Sequence, residues 1–137
     1  MITEKERHRG REKMRRLRAD PAYQQWMEKR RQQFDRIKEE IGCARCPAAT
    51  WSAAALVFHH IDPETKRHEL SGNRRVLWAG SLQTEAAKCI VLCGGCHMEM
   101  HAILRQDARS YWHEMLALEQ AQRIIIDERI AQLVGEQ

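Results

Sequence analysis

Two cysteine pairs, Cys43-x-x-Cys46 and Cys93-x-x-Cys96, constrain this chain more than any other feature. Each pair can present two thiolates to one ion at about 2.3 Å, and two pairs complete a tetrahedral zinc site. A redox dithiol would explain one pair, but not both. Two pairs in a chain of 137 residues are therefore a strong metal signal. A shared zinc contributes on the order of 10 kcal/mol to folding in zinc-finger peptides. Such help suits the composition. Charged residues make up 31% of the chain and mean hydropathy is −0.65, which leaves only a modest core. Four thiolates fill the coordination sphere, so this ion is expected to shape the fold and not to catalyse. Gly94-Gly95, inside the second pair, is expected to serve a tight turn. The fifth cysteine, Cys89, lies in an apolar run and reads as a small buried hydrophobe.

The length fits one domain with appendages. Thr3 and Glu6 match a capping box that opens a polar helix over residues 4–18, interrupted by Gly10. Asp20-Pro21 reads as N-cap and first helical residue of a second helix over 21–41. Tyr23, Trp26, Met27, Phe34, Ile37 and Ile41 recur along it at helical steps and are read as core packing. Gly42 is its expected stop. Residues 54–60, AALVFHH, read as a strand, as do residues 88–92, KCIVL. Residues 61–75 between them are loop-like. Helical periodicity resumes near Gly95, and Asp107 is expected to cap a last helix reaching about Val134.

Charge is unevenly spread. Residues 1–40 carry 13 Lys/Arg against 8 Asp/Glu, and the remainder 10 against 11. A basic arm on a near-neutral body suits a polyanionic partner, although a charged helix taken alone is ordinarily a solvated one. No run of about 18 apolar residues is present, so no membrane span is expected. The N-terminus, MITEKERHRG, has no apolar signal core, which points to the cytoplasm, where thiols stay reduced.

The histidines add a second cluster. His97 and His101 stand one helical turn apart, within reach of one ion. His59 and His60 end the first strand, where neighbouring side chains point to opposite faces. One can ligate a metal while the other faces a substrate, or one can simply be buried.

With FHHIDP at 58–63, KCIVLC at 88–93, CHMEMH at 96–101 and the two cysteine pairs, residues 43–105 resemble the HNH endonucleases, a branch of the ββα-metal nucleases. The basic helices resemble the arms of small phage-type members. The resemblance implies an α+β, mainly helical fold. Its parts are a basic helical arm (1–42), a zinc-stabilised ββα-metal core (43–105) and a C-terminal helix (106–137). It implies that His59, His97 and His101 hold a catalytic divalent ion (Mg²⁺, Mn²⁺, Ni²⁺ or Zn²⁺), apart from the structural zinc on Cys43, Cys46, Cys93 and Cys96. It assigns the general base to His60 and a bacterial or phage-infected cytoplasm as the setting. One departure stands out: Lys88 occupies the position of the motif's middle Asn, which holds the base loop through backbone hydrogen bonds. A lysine is donor only, so Lys88 is expected to donate to that loop or to touch phosphate. Asn73, in the loop, is the other candidate for the Asn role.

DNA is the expected substrate, with RNA left open. Arg11, Arg15 and Arg18 on the arm, and Lys66, Arg67, Arg74 and Arg75 in the loop, are candidate phosphate contacts. No base-reading helix is evident, which predicts weak, structure-dependent or partner-supplied specificity. Two other functions compete: a non-catalytic zinc-stabilised DNA-binding module, and an interaction subunit dimerising or meeting a partner protein through its last helix.

Overall fold

The computed structural model describes residues 1–46, 51–67, 70 and 79–135 and, for residues 79–81, the backbone alone. Asn73, Arg74 and Arg75 lie outside the described residues. Among the described residues the fold is mainly helical, with a small antiparallel sheet of two strands. The chain divides into two compact units, Met1–Gln32 and Gln33–Gln137.

The first unit holds helix α1 (Glu4–Ala19) and the start of helix α2 (Pro21–Ile41). The Thr3 hydroxyl accepts from the Glu6 amide at 3.2 Å, and the Glu6 carboxylate accepts from the Thr3 amide at 2.7 Å. This reciprocal cap satisfies two amides that α1 would otherwise leave open. The helix runs through Gly10, which does not interrupt it, and buries none of its residues. Asp20 ends α1 through its backbone and opens α2 by accepting from the Ala22 amide at 2.9 Å. Gly42 stops α2 with a φ of +71°, a conformation that costs a side-chain-bearing residue, while its amide reaches Lys38 O at 2.9 Å.

In the second unit, Phe34 of α2 stacks on Phe58, ring centroids 4.8 Å apart. Phe58 belongs to strand β1 (Leu56–His60), which pairs with β2 (Cys89–Cys93) so that Leu56 faces Cys93, His59 faces Ile90 and His60 faces Cys89. Strand β1 begins two residues later than the sequence suggests and ends where it suggests, and β2 begins and ends one residue later. The Ile61 amide bonds Lys88 O at 3.0 Å and carries the pairing one step further. Between the strands lies an unexpected short helix, α3 (Ala79–Ala86). Helix α4 (Gly94–Gln106) follows β2 directly, and α5 (Ala108–Gly135) follows after Asp107, whose carboxylate accepts from the Ser110 amide and hydroxyl.

The core gathers Ile61, Ile90 and Leu92 against Met100 of α4 and Tyr111 and Met115 of α5. Helix α5 also closes the outer edge of β2. Gln122 accepts from the Val91 amide at 2.8 Å and donates to Gly42 O at 3.0 Å, and Arg123 donates to Ala86 O and Cys89 O. A bare strand edge is thereby satisfied with side chains instead of a third strand. Cys89 is fully buried, and burial pushes its thiol up to about 12.

Candidate functional site

The N-terminus of α4 and the turn after α2 build a sulfur cluster. Cys43, Cys93 and Cys96 each offer a sulfur within 4.8 Å of the others. Tetrahedral thiolates on zinc stand about 3.8 Å apart, so little adjustment is needed. In each pair the later amide donates to the earlier sulfur: Cys46 N to Cys43 Sγ at 3.3 Å, Cys96 N to Cys93 Sγ at 3.4 Å. The Cys96 amide holds the Cys93 thiol below its ordinary range. Burial, then the Cys93 and Cys43 sulfurs, push Cys96 up to about 12. Crowded sulfurs resist sharing negative charge, and a cation relieves that resistance. Cys46 contributes its amide, but its own sulfur stands outside the 4.8 Å group. Gly94 and Gly95 are ordinary helical residues, and a Cβ on either would meet nothing within 4 Å. The tight turn expected there is an N-cap instead, with Cys93 as the cap.

Arg45, between the first two cysteines, ties this turn to both later helices. It pairs with Glu99 of α4 at 2.8 Å and Glu114 of α5 at 2.6 Å. Both carboxylates raise its pKa, Glu99 more strongly.

The second cluster grows from strand alternation and helix periodicity together. Alternation along β1 puts His59 on the side of Ile90 and Leu92, against α4 and α5, and sends His60 to the other side. One helical turn brings His97 and His101 together, their Nε2 atoms 2.9 Å apart. His59 completes the group, one ligand atom from each lying within 4.8 Å of the others. An ion at about 2.0–2.1 Å from each nitrogen would set them about 3.4 Å apart. The three imidazoles, with His60, Pro63 and Lys66, line a cleft of about 220 Å³.

The tautomer of His59 follows from its neighbour. Tyr111 Oη donates to Ile61 O at 2.6 Å, so its oxygen must accept from His59 Nε2, 2.7 Å away. The lone pair then sits on Nδ1, which is buried without a hydrogen-bond partner. A buried acceptor left open costs about 1–3 kcal/mol unless something fills it, and a cation does. Burial, with His97 and His101 adding, lowers the His59 pKa to about 3, and burial also lowers His97. Both rings are thereby kept in the neutral form that binds metal.

His60 is nearly as buried and meets a residue that the sequence did not single out. Its Nε2 lies 2.8 Å from Oε2 of Glu85 on α3. Lys88 donates to the other oxygen of Glu85 at 2.8 Å and to Thr65 O at 2.8 Å. Lys88 thus does donate to the loop after the two histidines, one of its two expected uses. Lys66 and Arg67 are exposed beside the cleft, and the Arg67 amide donates to Glu85 at 3.3 Å. Arg11, Arg15 and Arg18 are exposed on α1, with Arg15 paired to Glu12 at 2.7 Å. No family model matches the chain, and no curated protein or solved structure matches it. Among the described residues no helix is long and apolar enough to cross a membrane.

Tyr111 and Glu85 escape a reading of the sequence for different reasons. Tyr111 sits in the helical repeat of α5 and looks like any core aromatic. Glu85 is polar, and nothing near it in the sequence marks it as buried.

Proposed function

We propose that this chain is an HNH-type, metal-dependent endonuclease that hydrolyses DNA phosphodiester bonds. The observation that carries the reading is the convergence of His59, His97 and His101, with an unpartnered buried Nδ1 among them, in one cleft with His60. His59, His97 and His101 would hold a divalent ion. When bound, such an ion offsets the charge that develops on the phosphate and leaving oxygens. His60 acts as general base. It takes a proton from water, whose oxygen bonds to phosphorus as the bond to the 3′-oxygen breaks. The 3′-oxygen leaves with a proton from solvent, and His60 later returns its own. Lys66, at the cleft, meets phosphate. Cys43, Cys93 and Cys96 would hold a structural zinc, with Cys46 as the proposed fourth ligand.

Nicking of supercoiled plasmid in Mg²⁺, Mn²⁺, Ni²⁺ or Zn²⁺ tests the proposal. Wild type is expected to cut and His60→Ala to fall by at least about 10²-fold, the usual worth of a general base. Plasmid that stays intact while bound by wild-type protein would mark a non-catalytic DNA-binding module. No binding even at low salt would leave an interaction subunit.

A further inference from the structure

The base has to be held by something, and here the resemblance fails: the middle Asn is a lysine. Resting on the nuclease reading, we propose that Glu85 is the positioning residue for His60. It fixes the ring proton on Nε2 and leaves Nδ1 as the atom that takes the proton from water, while Lys88 holds Glu85 in place.

Three observations carry this. First, Glu85 and His60 are both buried, with Oε2 and Nε2 2.8 Å apart. An ionised carboxylate only accepts, so Nε2 must carry the hydrogen. Second, both carboxylate oxygens are engaged. Oε1 accepts from Lys88 at 2.8 Å, and Oε2 accepts also from the Arg67 amide at 3.3 Å. The ammonium compensates a carboxylate only 1% exposed, and an unpaired charge there would be costly. Third, Lys88 holds the loop that follows His60 at two points. Its carbonyl accepts from Ile61, and its ammonium donates to Thr65 O. A donor-only side chain thus does what the motif asks of an amide, by recruiting a carboxylate from α3. The bond to Glu85 uses His60 Nε2 and not Nδ1, and His60 lines the cleft that holds the other imidazoles. The arrangement is the familiar one in which a carboxylate sets the tautomer and aim of a catalytic imidazole.

Side-chain ¹⁵N spectra of full-length protein at about pH 8.5, well above the ordinary histidine value near 6.5, read the tautomer directly. His60 is assigned by the signal that disappears in His60→Gln. The expected result is hydrogen on Nε2 and a bare Nδ1. Hydrogen on Nδ1 at that pH overturns the assignment, and this reading needs no Glu85 variant to fold. In Glu85→Ala the tautomers should mix, and the single-turnover rate constant at saturating DNA should fall on the order of 10²-fold. DNA affinity should stay within about twofold, because neither group would touch phosphate. A folded Glu85→Ala protein with an unchanged rate constant and tautomer also overturns the proposal. Failure of the wild type to cut at all removes the nuclease reading, whereas an Nδ1–H tautomer in a protein that cuts removes the Glu85 assignment alone.

Discussion

At the scale of single residues, the arrangement of the histidines depends on a neighbour outside their group. The Tyr111 hydroxyl orients His59 by accepting at its oxygen and donating to Ile61 O. Tyr111→Phe should weaken Ni²⁺ or Co²⁺ binding at the histidines by roughly 10- to 100-fold, the usual effect of removing a group that orients a ligand. Titration calorimetry giving equal affinities would remove Tyr111 from that role. The depressed pKa of His59, about 3, also makes a stability statement. Its unfolded value is near 6.5, so between the two the unfolded chain holds the extra proton. The contribution is whole above about pH 6.5 and declines as pH falls from there toward about 3. With the histidine site free of metal, denaturant unfolding should show stability dropping through this window, and less steeply in His59→Gln. Equal slopes would mean that His59 titrates normally. The two candidate metal clusters are largely legible in the sequence, because spacing alone, one helical turn or one strand step, fixes where such side chains point. Tyr111 and Glu85 are not, because a second layer is chosen by tertiary contact, which leaves no period in the sequence.

At the scale of elements, caps and turn residues speak clearly. Thr3, Glu6, Asp20, Pro21 and Gly42 mark helix ends that the structure keeps. Helix α3 does not announce itself. It is only 8 residues long, and its buried face combines Leu82 and Ala86 with the charged Glu85. A buried carboxylate breaks the apolar stripe by which a short helix is recognised. Gly94-Gly95 misleads for the opposite reason, since glycine suggests a special φ where the chain uses a plain helical one. Gly94→Ala should therefore be neutral or stabilise by up to about 1 kcal/mol in denaturant melts. A destabilisation of that size would restore the tight-turn requirement. Gln122 makes a contrasting case, because it is the partner of the Val91 amide at the closed edge of β2. Gln122→Ala should cost about 1–3 kcal/mol by leaving a buried amide unsatisfied. An unchanged melt would show that water or another group replaces it.

At the scale of the molecule, two short strands and α4 build both a sulfur cluster and an imidazole cluster. Cys93, where β2 meets α4, pairs with Leu56; His59 lies towards the other end of β1, and His97 and His101 lie on α4, which Cys93 caps. Loss of the first cluster should therefore undo the second. Cys93→Ser is expected to unfold or aggregate the protein, and an unchanged melt would refute a structural metal there. The arm follows a different rule. Residues 1–32 carry 11 Lys/Arg against 5 Asp/Glu and form a compact unit of their own. On the nuclease reading its contribution is counterion release, which is blind to sequence and sensitive to salt. Replacing Arg11, Arg15 and Arg18 together with alanine should lower DNA affinity at low salt. The slope of log affinity against log salt should become shallower by about one unit for each phosphate that is no longer neutralised. Arg15 should matter least of the three, because Glu12 already neutralises it. The maximal cutting rate at saturating DNA should not change, since none of the three is a candidate metal ligand or the proposed base. Fluorescence anisotropy with a labelled duplex across a salt series reads the slope. A triple variant with an unaltered slope would mean that the arm is an ordinary solvated helix and that DNA is held elsewhere.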